Sequence, residues 1–163
     1  VQQQNKSTVA LPNDLDVVVI RTFAAPRELV FDAWTKPELV QRWMLGPPGW
    51  SMPVCEMDLR VGGKFRWRWR GADGAEFGFT GVFREIVRPS RIVHTEIFDP
   101  GDVGGSMGGE SLITNELTEA NNVTTCRMTL RYQSKADRDA ALGTGMTDGM
   151  EQSFQTLDTL LAS

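Results

Sequence analysis

Apolar positions recur at two different periods along this chain, and the switches between them mark its elements. LDVVVIRTF, Leu15 to Phe23, is a dense β-branched run and predicts a first strand. The period then lengthens. In PRELVFDAW, residues Leu29, Val30, Ala33 and Trp34 fall at helical spacing, with Pro26 where a helix can begin. Lys36-Pro37 interrupts the pattern, and PELVQRWM carries Leu39, Val40 and Trp43 into a second short helix. After the turn-rich stretch Leu45 to Met52 the period drops to two. Strands are predicted over Val54–Leu59, Lys64–Arg70, Glu76–Val87, Ile92–Phe98, Ser111–Thr118 and Val123–Tyr132. The linkers VGG, ADG, RPS and EANN have hairpin lengths, so the sheet is predicted to be antiparallel. One connection, Asp99 to Glu110, is long and glycine-rich, a length associated with functional or mobile loops. The chain closes on a helical stripe of Met146, Met150, Phe154, Leu157 and Leu161, with Glu151, Gln152, Gln155 and Asp158 assigned largely to its other side. Gly149 interrupts this helix, marking either a close approach or simple tolerance.

A sheet with one polar face must have its apolar face covered, and only the terminal helix is long enough to lie across it. The fold class expected is therefore α+β: a curved antiparallel sheet gripping a long C-terminal helix, with two short helices closing one end. The polar residues 1–13 are expected to form a flexible tail, and residues 14–163 a single domain.

The strand KFRWRWRG refines this picture. Phe65, Trp67 and Trp69 alternate with Arg66, Arg68 and Arg70 without a slip. Period-two geometry places the rings on one face and the guanidinium groups on the other. The rings are assigned to the concave side. Phe77 and Phe79, and Cys126, Met128, Leu130 and Tyr132, are assigned to the same side. Met146, Met150 and Phe154 approach from the helix. This convergence admits two explanations, a filled core or a cavity roofed by the helix.

Composition removes several function classes. The 163 residues include 17 Lys and Arg against 21 Asp and Glu, a formal charge of −4, which argues against a nucleic-acid partner. No apolar run approaches the ~20 residues of a membrane helix, so no membrane insertion is expected. The two cysteines, Cys55 and Cys126, favour free thiols in a reducing compartment over a disulfide, which points to the cytoplasm. One histidine, His94, and no cluster at ligand spacing leave no metal site and no cofactor to expect. No phosphate-binding or serine-hydrolase motif occurs. Alternation does not decide whether Ile92, His94, Glu96 and Phe98 or Val93, Thr95 and Ile97 face inward. Glu56, Asp58 and Glu116 are assigned outward. No nucleophile–base pair can be read from spacing, so no catalytic residue is assigned.

Four separated stretches carry a family resemblance: APRELVFDAWTKPELVQRW, GPPGWSMPVCEMDLRVGGKFRWRWR, DGAEFGFTGVFREIVRPSRIVHTE and GMTDGMEQSFQTLDTLLA. Together they resemble the START-like (SRPBCC) superfamily, in its branch similar to the C-terminal domain of the activators of the heat-shock-protein-90 ATPase. The resemblance implies a helix-grip fold and a hydrophobic or aromatic small molecule or lipid held between sheet and helix. On that reading the ligand-binding residues are Trp34, Trp50, Met57, Phe65, Trp67, Trp69, Phe77, Phe79, Met128, Met146, Met150 and Phe154. It also implies two alternatives: a co-chaperone-like protein with a chaperone partner and a place in the stress response, or an enzyme on a cyclic hydrophobic substrate. A homodimer is a further expectation. Many relatives carry a second tryptophan where this chain has Met44, and a tryptophan where it has Met150. A thioether there replaces a rigid ring and reshapes any pocket.

Overall fold

The computed structural model describes residues 6–101 and 109–163. Eight strands form one antiparallel sheet: β1 (Thr8–Ala10), β2 (Asp16–Phe23), β3 (Ser51–Met57), β4 (Lys64–Arg70), β5 (Glu76–Val87), β6 (Arg91–Asp99), β7 (Ser111–Ala120) and β8 (Val123–Arg131). Their spatial order is β1-β2-β8-β7-β6-β5-β4-β3, so β3 to β8 form a meander and β2 closes against the last strand. Four helices complete the described residues: α1 (Arg27–Thr35), α2 (Pro37–Trp43), α3 (Lys135–Leu142) and α4 (Met146–Leu161). The curved sheet wraps α4, while α1 and α2 bridge β2 to β3, as the two periods predict.

Local chemistry explains the boundaries. Pro37 occupies the first turn of α2, where its missing N–H costs nothing. The β7–β8 hairpin turns on Asn121 and Asn122, with φ of 53° and 60°. Asparagine tolerates this left-handed conformation, and two such residues match the strand twist. Pro53 lies where the β3 register shifts, between Ser51 and Val54, on the outer edge of the sheet, where its missing donor breaks no inner ladder.

Three features depart from the sequence reading. Thr8–Ala10, within the expected tail, pairs with Val18–Ile20 as an edge strand. Ser7 just before it donates from its N–H and its hydroxyl to Glu151 Oε1, at 2.7 and 2.6 Å. Helix α3 was not expected, because KADRDAAL has too few apolar positions for a stripe; only Arg138 and Ala141 are buried. Its signal was the cap: Ser134 Oγ accepts from the Asp137 N–H. Finally, β3 starts at Ser51 rather than Val54. The glycine-rich connection expected over Asp99–Glu110 falls mainly on residues 102–108, outside the described residues.

Glu151 and Asp158 also differ from their assignment. They turn back to the sheet and clamp Arg21, which is 1% exposed on the inner face of β2. All five guanidinium N–H groups are used. Two go to Asp158 (3.0 and 2.7 Å), two to Glu151 (3.2 and 3.1 Å) and one to the Thr22 carbonyl (2.9 Å). Burial opposes ionisation of Glu151, but hydrogen bonds from Arg21 and Ser7 prevail and lower its pKa to about 2. This clamp sets the distance of α4 from the β2 side of the sheet.

Candidate functional site

The register of β4, β5 and β6 builds an aromatic wall. Trp67 lies opposite Phe79, Trp69 opposite Phe77, Phe79 opposite Phe98 and Phe83 opposite His94. Directly opposed residues share a sheet face, so all these side chains project to the inner side. The register shift between Phe83 and Glu85 lets both Phe83 and Ile86 face inward. The rings touch in sequence: Phe65–Trp67 at 4.3 Å, Trp69–Phe77 stacked at 5.5 Å, Trp69–Phe79 at 5.9 Å, and Phe79–Phe98 at 5.6 Å between centroids. Gly78 and Gly81 lie among these rings because a Cβ would collide: at Gly78 with the Trp67 carbonyl, at Gly81 with the Thr95 carbonyl and the Phe65 ring. On the outer face Arg66 is exposed, while Arg68 pairs with Glu76 and Asp99, and Arg70 with Glu76.

The pairing of β6 also decides the ambiguous strand. His94 stands opposite Phe83 on one side and Ile113 on the other, so Ile92, His94, Glu96 and Phe98 face inward. His94 is 5% exposed and packs edge-on against Phe65 at 5.2 Å and Trp67 at 5.8 Å. Its Nε2 lies 3.0 Å from Glu96 Oε2. Across β7, Ser111 and Asn115 join the same face. Tyr132 also faces in; burial and then the Glu96 charge push its phenol pKa up, and its hydroxyl donates to Met146 Sδ at 3.5 Å.

The proposed ligand-binding residues divide into groups. Phe65, Trp67, Trp69, Phe77 and Phe79 form the wall, with Trp50 edge-on to Phe77 at 5.4 Å and Met57 opposite Phe65 on β3. Met128, opposite Asn115, together with Met146 and Met150, is partly buried against the core. Trp34 and Phe154 form a ring cluster with Phe23 and Trp43, within the same core that buries Phe65 and Trp67. Among the described residues, no ring contact joins that cluster to the wall. Sequence reasoning left Glu96 undecided with the rest of its set and missed Asn115 as an inward residue. The signal for Asn115 was available, since Ile113, Asn115 and Leu117 alternate on one face. An open groove of about 510 Å³ lies away from this wall, at the start of α1, between Pro26–Leu29 and Glu119.

Burial is uneven across the inner face. Phe65 and Trp67 are buried, but Trp69, Phe77, Phe79, Phe98, Met57, Met128, Met146 and Met150 keep partial access. Three polar atoms there are buried with no hydrogen-bond partner among the described residues: Trp67 Nε1, His94 Nδ1 and Asn115 Oδ1. The other tryptophans of known partner behave differently. Trp43 Nε1 donates to the Ala33 carbonyl at 2.8 Å, and Trp69 Nε1 to the Met44 carbonyl at 2.7 Å. Both cysteines are free thiols; burial, aided at Cys55 by the Glu38 charge, pushes each up to about 12, so neither is a ready nucleophile. Among the described residues no cluster could hold a metal ion, and no helix is long and apolar enough to cross a membrane.

This architecture matches a family model for activator of Hsp90 ATPase homolog 1-like proteins over residues 24–162. The chain belongs to that family. Solved structures agree. A Rhodobacter sphaeroides protein is 30% identical, covers 96% of this chain and 98% of its own, and superposes with a TM-score of 0.87. A Nitrosomonas europaea protein is 25% identical over 93% of this chain and 97% of its own, with a TM-score of 0.80. An Hsp90 activator from Plasmodium falciparum shares the fold at 21% identity, covering 91% of this chain and 96% of its own, with a TM-score of 0.64. No curated protein matches. The START-like, helix-grip fold expected of this AHSA1-like chain is thus the observed one.

Proposed function

We propose that the space between the aromatic wall and α4 binds a hydrophobic or aromatic small molecule, lipids included. The half-buried state of Trp69, Phe77, Phe79, Phe98, Met128, Met146 and Met150 carries this reading. These side chains project to the covered face of the sheet, yet solvent reaches them. Close-packed interiors leave few such gaps, so large rings held open on a covered face favour an occupant. Methionines opposite the wall suit an occupant of variable shape. Native mass spectrometry of gently purified protein is expected to show a retained mass. After ligand stripping, one equivalent of an apolar fluorescent probe is expected to bind. Trp67→Phe and Trp69→Phe are expected to shift the probe affinity more than Arg68→Gln, which alters only the outer face. Stripped protein that takes up no probe overturns the reading.

A second reading rests on the family itself and on the Plasmodium activator that shares the fold. In it the domain contacts an Hsp90 chaperone and raises its ATPase rate. A chaperone ATPase assay with and without this protein tests it; an unchanged rate at saturating protein overturns it.

A further inference from the structure

The three orphan polar atoms have a shared logic. Trp67, His94 and Asn115 are 6%, 5% and 2% exposed, and each leaves one hydrogen-bonding atom unmatched. Buried polar atoms without partners are rare, because each forfeits its hydrogen bonds to water. Two of the three side chains touch, with Trp67 edge-on to His94 at 5.8 Å. The third, Asn115, is a diagonal neighbour of His94 on the far side from Trp67, since Asn115 pairs with Ile92 while His94 pairs with Ile113. Unmatched atoms from three different strands therefore lie on one inner face, with His94 between the other two.

Their chemical roles can be read off. An indole N–H only donates. His94 turns Nε2 to the Glu96 carboxylate, which can only accept, so Nε2 carries the proton. In the neutral ring Nδ1 is then an acceptor. The orphan set comprises one donor, Trp67 Nε1, and two acceptors, His94 Nδ1 and Asn115 Oδ1. A hydroxyl group matches the donor and the nearer acceptor: its oxygen accepts from the indole while its hydrogen goes to the imidazole. A carboxylate does not. It has no hydrogen to give, and it would sit beside Glu96. We propose that the occupant is a neutral aromatic or polycyclic molecule carrying a hydroxyl group, inserted hydroxyl-first against Trp67 and His94. This inference rests on the binding reading above and names the class of ligand. Glu96 acts as a positioning residue that fixes the His94 tautomer.

Naphthalene, naphthol and naphthoate test it by isotope-edited NMR titration of the full chain. Naphthol is expected to bind about tenfold more tightly than naphthalene, the gain of one matched hydrogen-bond set. Naphthoate is expected to bind more weakly than naphthol. The Trp67 indole N–H resonance should move downfield with naphthol and not with naphthalene. In His94→Phe and in Trp67→Phe the preference for naphthol should fall towards one while naphthalene affinity is kept, which also reports that the fold is intact. Should either variant fail to fold, the indole resonance of the native chain decides alone. Equal affinity for naphthalene and naphthol, or naphthoate binding tightest, overturns the ligand class but leaves the apolar site standing. Failure of all three to bind overturns both.

Discussion

Two ring clusters lie on the same side of one sheet and are built to opposite standards. Around Phe154, the rings of Phe23, Trp34 and Trp43 are at most 6% exposed and sit 4.8–6.1 Å apart. The Trp43 indole has its carbonyl, and the adjacent Arg21 has every N–H matched. Along β4–β6 the rings are more numerous, but many keep solvent access and the Trp67 indole has no partner among the described residues. The first cluster joins helices to sheet and answers to stability. The second has helix on one side only and leaves its chemistry unfinished. Satisfied polar atoms mark where a protein is closed, and orphaned ones mark where something else is expected.

The contrast makes the largest prediction a packing one. Phe154→Ala removes the ring that three others touch, and should destabilise the fold by about 3–5 kcal/mol in denaturant melts. A loss below about 1 kcal/mol would mean that the closed cluster is not the structural centre.

Arg21→Met comes next. It leaves the Glu151 and Asp158 carboxylates without their cation, and a loss on the order of 2–3 kcal/mol is expected, because both can partly regain water. The same clamp predicts acid sensitivity. The folded-state pKa of Glu151 is lowered from 4.5 to about 2, and that of Asp16 is lowered by its hydrogen bonds from Arg131, opposed by burial, with Asn13 adding to the lowering. Their contributions are therefore complete above the unfolded-state values and drain away as pH falls towards 2. Urea midpoints measured from pH 6 to 2.5 should fall, and the slope should flatten in Glu151→Gln. An unchanged slope would remove Glu151 from the account.

Two tryptophans sharpen the comparison within the open wall. Trp69→Phe strands the Met44 carbonyl and should cost about 1 kcal/mol more than its lost packing. Trp67→Phe removes an N–H that had no partner and should cost distinctly less. Thermal melts of both variants, with ligand stripped, compare them directly; the reverse order would mean that the Trp67 indole has a protein partner after all.

The smallest effect expected is a gain. A Cβ at Gly149 would meet nothing within 4 Å, so of the two readings of this glycine, tolerance is the one the packing favours. Gly149→Ala should stabilise α4 by roughly 0.5–1 kcal/mol. If probe binding falls at the same time, the open space beside Gly149 belongs to the ligand.

Much of the fold was legible because local rules govern it. A β-branched run located β2, period-two patterning located six more of the eight strands, and the stripe from Met146 to Leu161 set the bounds of α4. Helix α3 escaped because its stability comes from a serine cap and one buried arginine, not from an apolar stripe. Strand β1 escaped because three residues hold no measurable period; pairing with β2 makes them a strand.

The sequence by itself determined which residues share a face along each regular stretch of strand, since that follows from backbone geometry alone, but not the register shift that turns both Phe83 and Ile86 inward. Only the tertiary structure decided which faces meet. It turned Glu151 and Asp158 towards Arg21, because a buried guanidinium must be matched wherever it comes to lie. It chose the His94 set over the Val93 set on β6, because register with Phe83 and Ile113 is a long-range choice that both mixed patterns allowed. And it gave Trp34 and Phe154 their ring partners in Phe23 and Trp43 rather than in Trp67 and Trp69, within one shared core, because alternation along a strand says nothing about how far apart two strands will be once the sheet has curved around its helix.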